Sequence, residues 1–113
     1  MDKIVCPMED LPEPMVLALQ ALSNKDERMI LLCLLDRGEL SYSEIHKLFP
    51  MRKGRLNYHL KKLFNAGLIR KYYKDGRLIG QPYHSYYEPT DLGRRLVNAI
   101  LDVYLKRGPR EKS

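Results

Sequence analysis

The segment 52–69, RKGRLNYHLKKLFNAGLI, constrains this chain more than any other stretch. On a wheel of about 100° per residue, Leu56, Leu60, Leu63 and Phe64 form one apolar stripe. Gly54, Arg55, Tyr58, Lys61, Lys62 and Asn65 fall on the opposite side, and Asn57 and His59 flank the stripe. A helix over 52–66 patterned in this way must bury its aliphatic side and leave a cationic side outward. Gly67 suits the left-handed position just past the helix end, and Leu68 can then fold back on Leu63 as in a Schellman stop.

The outward side of this helix belongs to the region where the charge of the chain is concentrated. The 113 residues include 20 Lys or Arg and 14 Asp or Glu, a net charge of +6, with a sequence pI near 9.4. Between Met51 and Arg77, nine of those basic residues (Arg52, Lys53, Arg55, Lys61, Lys62, Arg70, Lys71, Lys74, Arg77) face one acid, Asp75, which leaves 11 basic and 13 acidic residues elsewhere. Charge serving only solubility would be spread more evenly. The clustering points to a polyanion partner, with nucleic acid ahead of anionic lipid. The length suits one domain with a modest core. The longest uncharged apolar run, 29–35, is far too short to span a bilayer. The first residues lack a signal-peptide pattern, so the expected location is cytoplasmic, with no membrane partner.

The rest of the chain divides at its caps. Residues 1–10 are expected to be a flexible N-terminus. A first helix is expected over 12–22, with Pro12 and Pro14 in its first turn, where a missing N–H costs nothing. Asn24 and the acidic residues after it cap a second helix that ends at Gly38. Ser41 and Glu44 form a capping box for a short helix through Phe49, with Ile45 and Leu48 inward. A strand begins at Leu68, and Asp75-Gly76 is a hairpin turn. The return strand is expected to be interrupted near 80–82 and to continue through the aromatic run 83–87. Thr90 caps a last helix over 91–105, with Asp91 in its first turn. Residues 106–113 form a charged tail. Cys33 lies in an apolar helical run as a small core residue, whereas Cys6 is expected to be exposed. The two make neither a metal-ligand spacing nor a disulfide framework, and a Cys6–Cys6 link between copies is disfavoured in a reducing cytosol.

Two short helices joined by a tight turn, the second basic, followed by a hairpin, make a winged helix-turn-helix. The expected fold is mainly α, of α+β character: a single domain over 11–105 with the helix-turn-helix at 42–66, the wing at 68–88, and helices 12–22 and 91–105 pairing two copies.

The run Asn57-Tyr58-His59-Leu60-Lys61-Lys62-Leu63, then Ala66-Gly67-Leu68-Ile69 and Asp75-Gly76-Arg77, resembles the recognition helix and wing of ArsR-type regulators. The run Tyr87-Glu88-Pro89-Thr90-Asp91-Leu92-Gly93-Arg94 is similar to the wing-to-last-helix junction of MarR- and PadR-type regulators. The resemblance covers roughly residues 24–96 and implies a dimeric, DNA-binding transcription regulator. Metal-sensing ArsR members carry paired thiols on the first motif helix or Asp/His sets on the last helix. Here the first reads Glu44-Ile45-His46-Lys47-Leu48 and the last has no His, so no metal and no cofactor is expected.

The expected DNA-binding set is Arg52, Lys53, Arg55, Asn57, Tyr58, Lys61, Lys62, Lys71, Lys74 and Arg77. Arg55, Tyr58 and Lys61 suit base edges and phosphates, and Arg52 and Lys53 suit phosphates at the helix entrance. Asn57 either reads adenine or holds the helix start. Lys71, Lys74 and Arg77 suit phosphates, with plain solvation as the alternative. Tyr83, Tyr86 and Tyr87 either pack the wing or stack on single-stranded bases. His59 reads as a packed histidine rather than a ligand. Leu17, Leu92, Leu96, Ile100, Val103 and Tyr104 are the expected dimer contacts.

No nucleophile–His–acid set and no Gly-rich phosphate loop is present, so an enzyme is not expected. The expected function is sequence-specific binding of double-stranded DNA at a pseudo-palindromic site by a homodimeric repressor. The alternative is a winged-helix module for non-specific nucleic-acid or protein contacts. No motif specifies a small-molecule effector.

Overall fold

A computed structural model describes residues 11–74 and 85–107, with side chains through residue 105. Cys6, the Asp75-Gly76 turn, Arg77, the interruption expected near 80–82, Tyr83 and the side chains of the charged tail lie outside the described residues. The elements run α1 (Glu13–Ser23), α2 (Lys25–Arg37), β1 (Leu40–Ser41), α3 (Tyr42–Leu48), α4 (Lys53–Asn65), β2 (Ile69–Tyr73), β3 (Ser85–Pro89) and α5 (Asp91–Leu101), with a π-helical segment over Asp102–Arg107.

Local signals account for most boundaries. Pro12 occupies the N-cap of α1, with Pro14 in the first turn. Asn24 Oδ1 accepts the Glu27 N–H at 2.9 Å and starts α2, which ends at Gly38. Arg28 Nη1 donates to the Leu22 carbonyl at 2.8 Å, tying α2 to the end of α1. The capping box of α3 is complete: the Glu44 N–H reaches Ser41 Oγ at 3.1 Å, and the Ser41 N–H reaches Glu44 Oε1 at 2.8 Å. Thr90 Oγ1 accepts the Gly93 N–H at 3.0 Å and starts α5.

Ile30, Leu31 and Leu34 of α2, Ile45 of α3, Leu56 and Leu63 of α4, then Leu68 and Ile69, are sealed from solvent and form the centre of the core. Each such aliphatic side chain contributes about 1.5–3 kcal/mol on burial. Two inward expectations fail. Leu48 is 41% exposed at the last residue of α3, and Phe49, the cap residue that follows, packs on the core. Phe64 is 52% exposed.

The sheet has the order β1-β3-β2, antiparallel throughout. β3 is central, with Ile69 opposite Pro89 and Tyr73 opposite Ser85 on one side, and Leu40 opposite Tyr87 on the other. The two-residue β1 has no sequence signature, since two residues carry no periodicity. It exists because the chain between α2 and α3 passes the free edge of β3. The last helix also departs from expectation: α-helical bonding over 91–105 gives way to the π-helical segment at Asp102.

Candidate nucleic-acid interface

Three devices fix the pose of α4. At its C-terminus the Leu68 N–H bonds to the Leu63 carbonyl at 3.1 Å and the Gly67 N–H to the Phe64 carbonyl at 2.9 Å, with Gly67 at φ 77°. That is the Schellman arrangement, and it requires the left-handed residue that glycine supplies. The second device joins this stop to α5. Thr90 Oγ1 donates to the Gly67 carbonyl at 2.6 Å, and the Thr90 N–H bonds to the Leu68 carbonyl at 3.0 Å. Gly93 lets the two segments meet so closely, since a Cβ there would stand 2.4 Å from the Leu68 carbonyl oxygen. The Thr90–Gly93 spacing in the sequence thus has a steric cause.

The third device is buried. His59 Nδ1 donates to Glu27 Oε2 of α2 at 2.8 Å, and both side chains are nearly inaccessible. Pairing with α2 draws His59 into the core and turns the buried face of α4 toward α2. Phe64, on the far edge of the apolar stripe, is thereby rotated outward.

With that pose set, Arg52, Lys53, Arg55, Asn57, Tyr58 and Lys61 are all exposed, and Lys62 is half-buried with its Nζ 5.7 Å from the Tyr58 ring centroid. The first turn of α4 contains no acid. Arg55 Nη2 lies 3.6 Å from Asp26 Oδ2 at the start of α2. A cleft of about 280 Å³ between α4 and the sheet is lined by Asn57, Leu60, Lys61, Phe64, Lys71 and Tyr87, so helix and wing cations share one rim.

The wing is less free. Lys74 Nζ pairs with Glu39 Oε2 at 2.6 Å and stands 4.8 Å from the Tyr86 ring centroid. Its hydrogen bond to Glu39 holds the ammonium above the ordinary lysine pKa. Tyr72 donates its hydroxyl to the same Glu39, and Arg70 pairs with Glu88 across the strands. Lys71 is exposed, with its Nζ 5.8 Å from the Tyr73 ring centroid. Tyr87 is buried, and its phenol is pushed up to about 12, first by burial and then by Tyr42 and Tyr73. Tyr86 lies against Tyr72, with ring centroids 6.0 Å apart. Both therefore pack the wing. Sequence reading missed Glu27, Asp26 and Glu39, acids that meet the basic residues only after folding.

α5 is strongly amphipathic, yet buries only Gly93 and Val97. Leu92, Ile100, Val103 and Tyr104 are exposed, Leu17 and Leu96 are half-buried against the core, and Met15 and Leu19 of α1 extend the same apolar face. Among the described residues, no three His, Cys, Asp or Glu side chains are grouped to hold a metal ion, and no helix is long and apolar enough to cross a membrane.

Comparison with known proteins bears on this geometry. Residues 25–71, from α2 into β2, match the model of the bacterial regulatory protein family arsR. An uncharacterized protein of Methanocaldococcus jannaschii is 38% identical over 74 residues, which are 66% of this chain but only 60% of that relative's length. HlyU from Vibrio cholerae is similar in structure at TM-score 0.65 and 24% identity, covering 86% of this chain and 98% of HlyU. The crystal structure of an ArsR family transcriptional regulator is similar at TM-score 0.63 and 27% identity, covering 88% of this chain and 94% of the other. The chain accordingly has a winged helix-turn-helix fold, and its residues 25–71 are similar to the arsR family of bacterial regulatory proteins.

Proposed function

We propose that the protein acts as a homodimer that binds double-stranded DNA sequence-specifically and represses transcription by occupying a promoter. The observation that carries this reading is the cationic flank of α4. Arg52, Lys53, Arg55, Asn57, Tyr58 and Lys61 stand exposed on a helix whose other side is locked by the core, Thr90 and Glu27. Such a helix enters the major groove with base-reading side chains near its N-terminus, while Lys71 and Lys74 of the wing reach the adjacent backbone or minor groove. Pairing of two copies through α1 and α5 covers the apolar face. It also sets two α4 helices about one DNA turn, roughly 34 Å, apart, so the site is an inverted repeat.

Selection of bound sequences from a random duplex pool at moderate salt tests the reading. An enriched inverted repeat is expected, and Arg55→Ala or Tyr58→Ala should then cost about 1–3 kcal/mol on that site with altered base preference. Absence of any enriched sequence would overturn it in favour of an architectural or protein-binding role.

A further inference from the structure

A line of polar and ionisable side chains runs from the core to the outer face of α4. Glu27 and His59 are 2% and 4% exposed, and Glu27 takes the Nδ1–H of His59. The other ring nitrogen, Nε2, is buried without a hydrogen bond and lies 3.7 Å from Asp26 Oδ2. The same carboxylate oxygen stands 3.6 Å from Arg55 Nη2, whose side chain is 64% exposed. Asp26 is therefore where a core-anchored ring meets an outward guanidinium.

The arrangement has two physical consequences. Lys53 and Arg55 stand in the first turn of α4, at the positive end of its dipole, where cations are disfavoured. Asp26, in the first turn of α2, sits favourably for its own helix and offsets that charge. An arginine fork also reads a guanine edge only in one orientation, and a side chain held in that orientation beforehand loses less freedom on binding.

We propose that Asp26 is a positioning residue for base reading. It holds the Arg55 guanidinium at an angle set by the buried Glu27–His59 pair, so that Arg55 discriminates one base pair in each half-site. This rests on the DNA-reading role proposed above for α4.

The test uses the full chain and the variants D26N, R55A and D26N/R55A. Fluorescence anisotropy measures their binding to the selected duplex, to each of its single-base-pair variants and to a random duplex, and thermal unfolding is followed in parallel. R55A should flatten discrimination at one position by roughly tenfold or more. D26N should flatten the same position and no other, with binding to random duplex no weaker, and the double variant should be no flatter than R55A alone. A purely structural Asp26 would lower the thermal midpoint and weaken every duplex alike. That result, or a D26N profile equal to wild type, overturns the proposal. Should the wild-type chain select no sequence, the DNA reading fails and this inference with it. If it selects one and D26N preserves the profile, only the positioning role fails.

Discussion

His59 illustrates how one residue can carry more of the architecture than its sequence position suggests. On the helical wheel it stands beside the apolar stripe, and only its pairing with Glu27 turns it into a core residue. Removing His59 leaves the buried carboxyl of Glu27 without its hydrogen-bond partner. His59→Ala should therefore cost about 3–5 kcal/mol, read by urea unfolding at fixed protein concentration. Replacing both members by leucine should recover most of that loss, because two apolar groups need no partner. A cost below about 1 kcal/mol for His59→Ala would mean that Glu27 finds water instead. Within the candidate interface, the exposure of the cationic side chains of α4 was legible because it follows from helical periodicity. The acids that restrain the cations were not, because Asp26 and Glu39 are distant in sequence from Arg55 and Lys74.

At the scale of elements, boundaries and faces differ in how readily a sequence declares them. The Asn24 cap, the Ser41–Glu44 box, the Gly67 stop and the Thr90 cap each lie within a few residues of what they control. The outward turn of Phe64 and the strand β1 depend on neighbours across the fold. The wing adds a consequence of its own. Lys74 is engaged by Glu39, so part of its charge is already neutralised before any duplex arrives. Glu39→Gln should free it, tightening binding to any duplex and steepening the slope of log K against log salt by about one. A salt titration with wild-type slope in this variant would show that Lys74 stays off the backbone.

For the whole molecule, the decisive feature is an apolar face left uncovered within the single chain. Leu19 on α1 and Leu92 on α5 are each about half exposed, at 50% and 52%, so neither is needed to fill the core of its own chain. Leu19→Glu should therefore leave the fold intact and turn a dimer into a monomer in sedimentation velocity, with loss of binding to a duplex that carries both half-sites. Wild-type protein sedimenting as a monomer at micromolar concentration would refute the pairing. This face was legible in the sequence because an amphipathic helix announces its apolar side, although not what covers it.

By itself the sequence determined the helices, their caps and the clustering of positive charge on one side of α4, because each follows from periodicity or from contacts a few residues apart. Tertiary structure alone decided the rotation of α4 about its axis, the third strand and the acids set against Arg55 and Lys74. Those depend on groups brought together from up to 47 residues away, as Leu40 and Tyr87 are, and no local pattern encodes that distance.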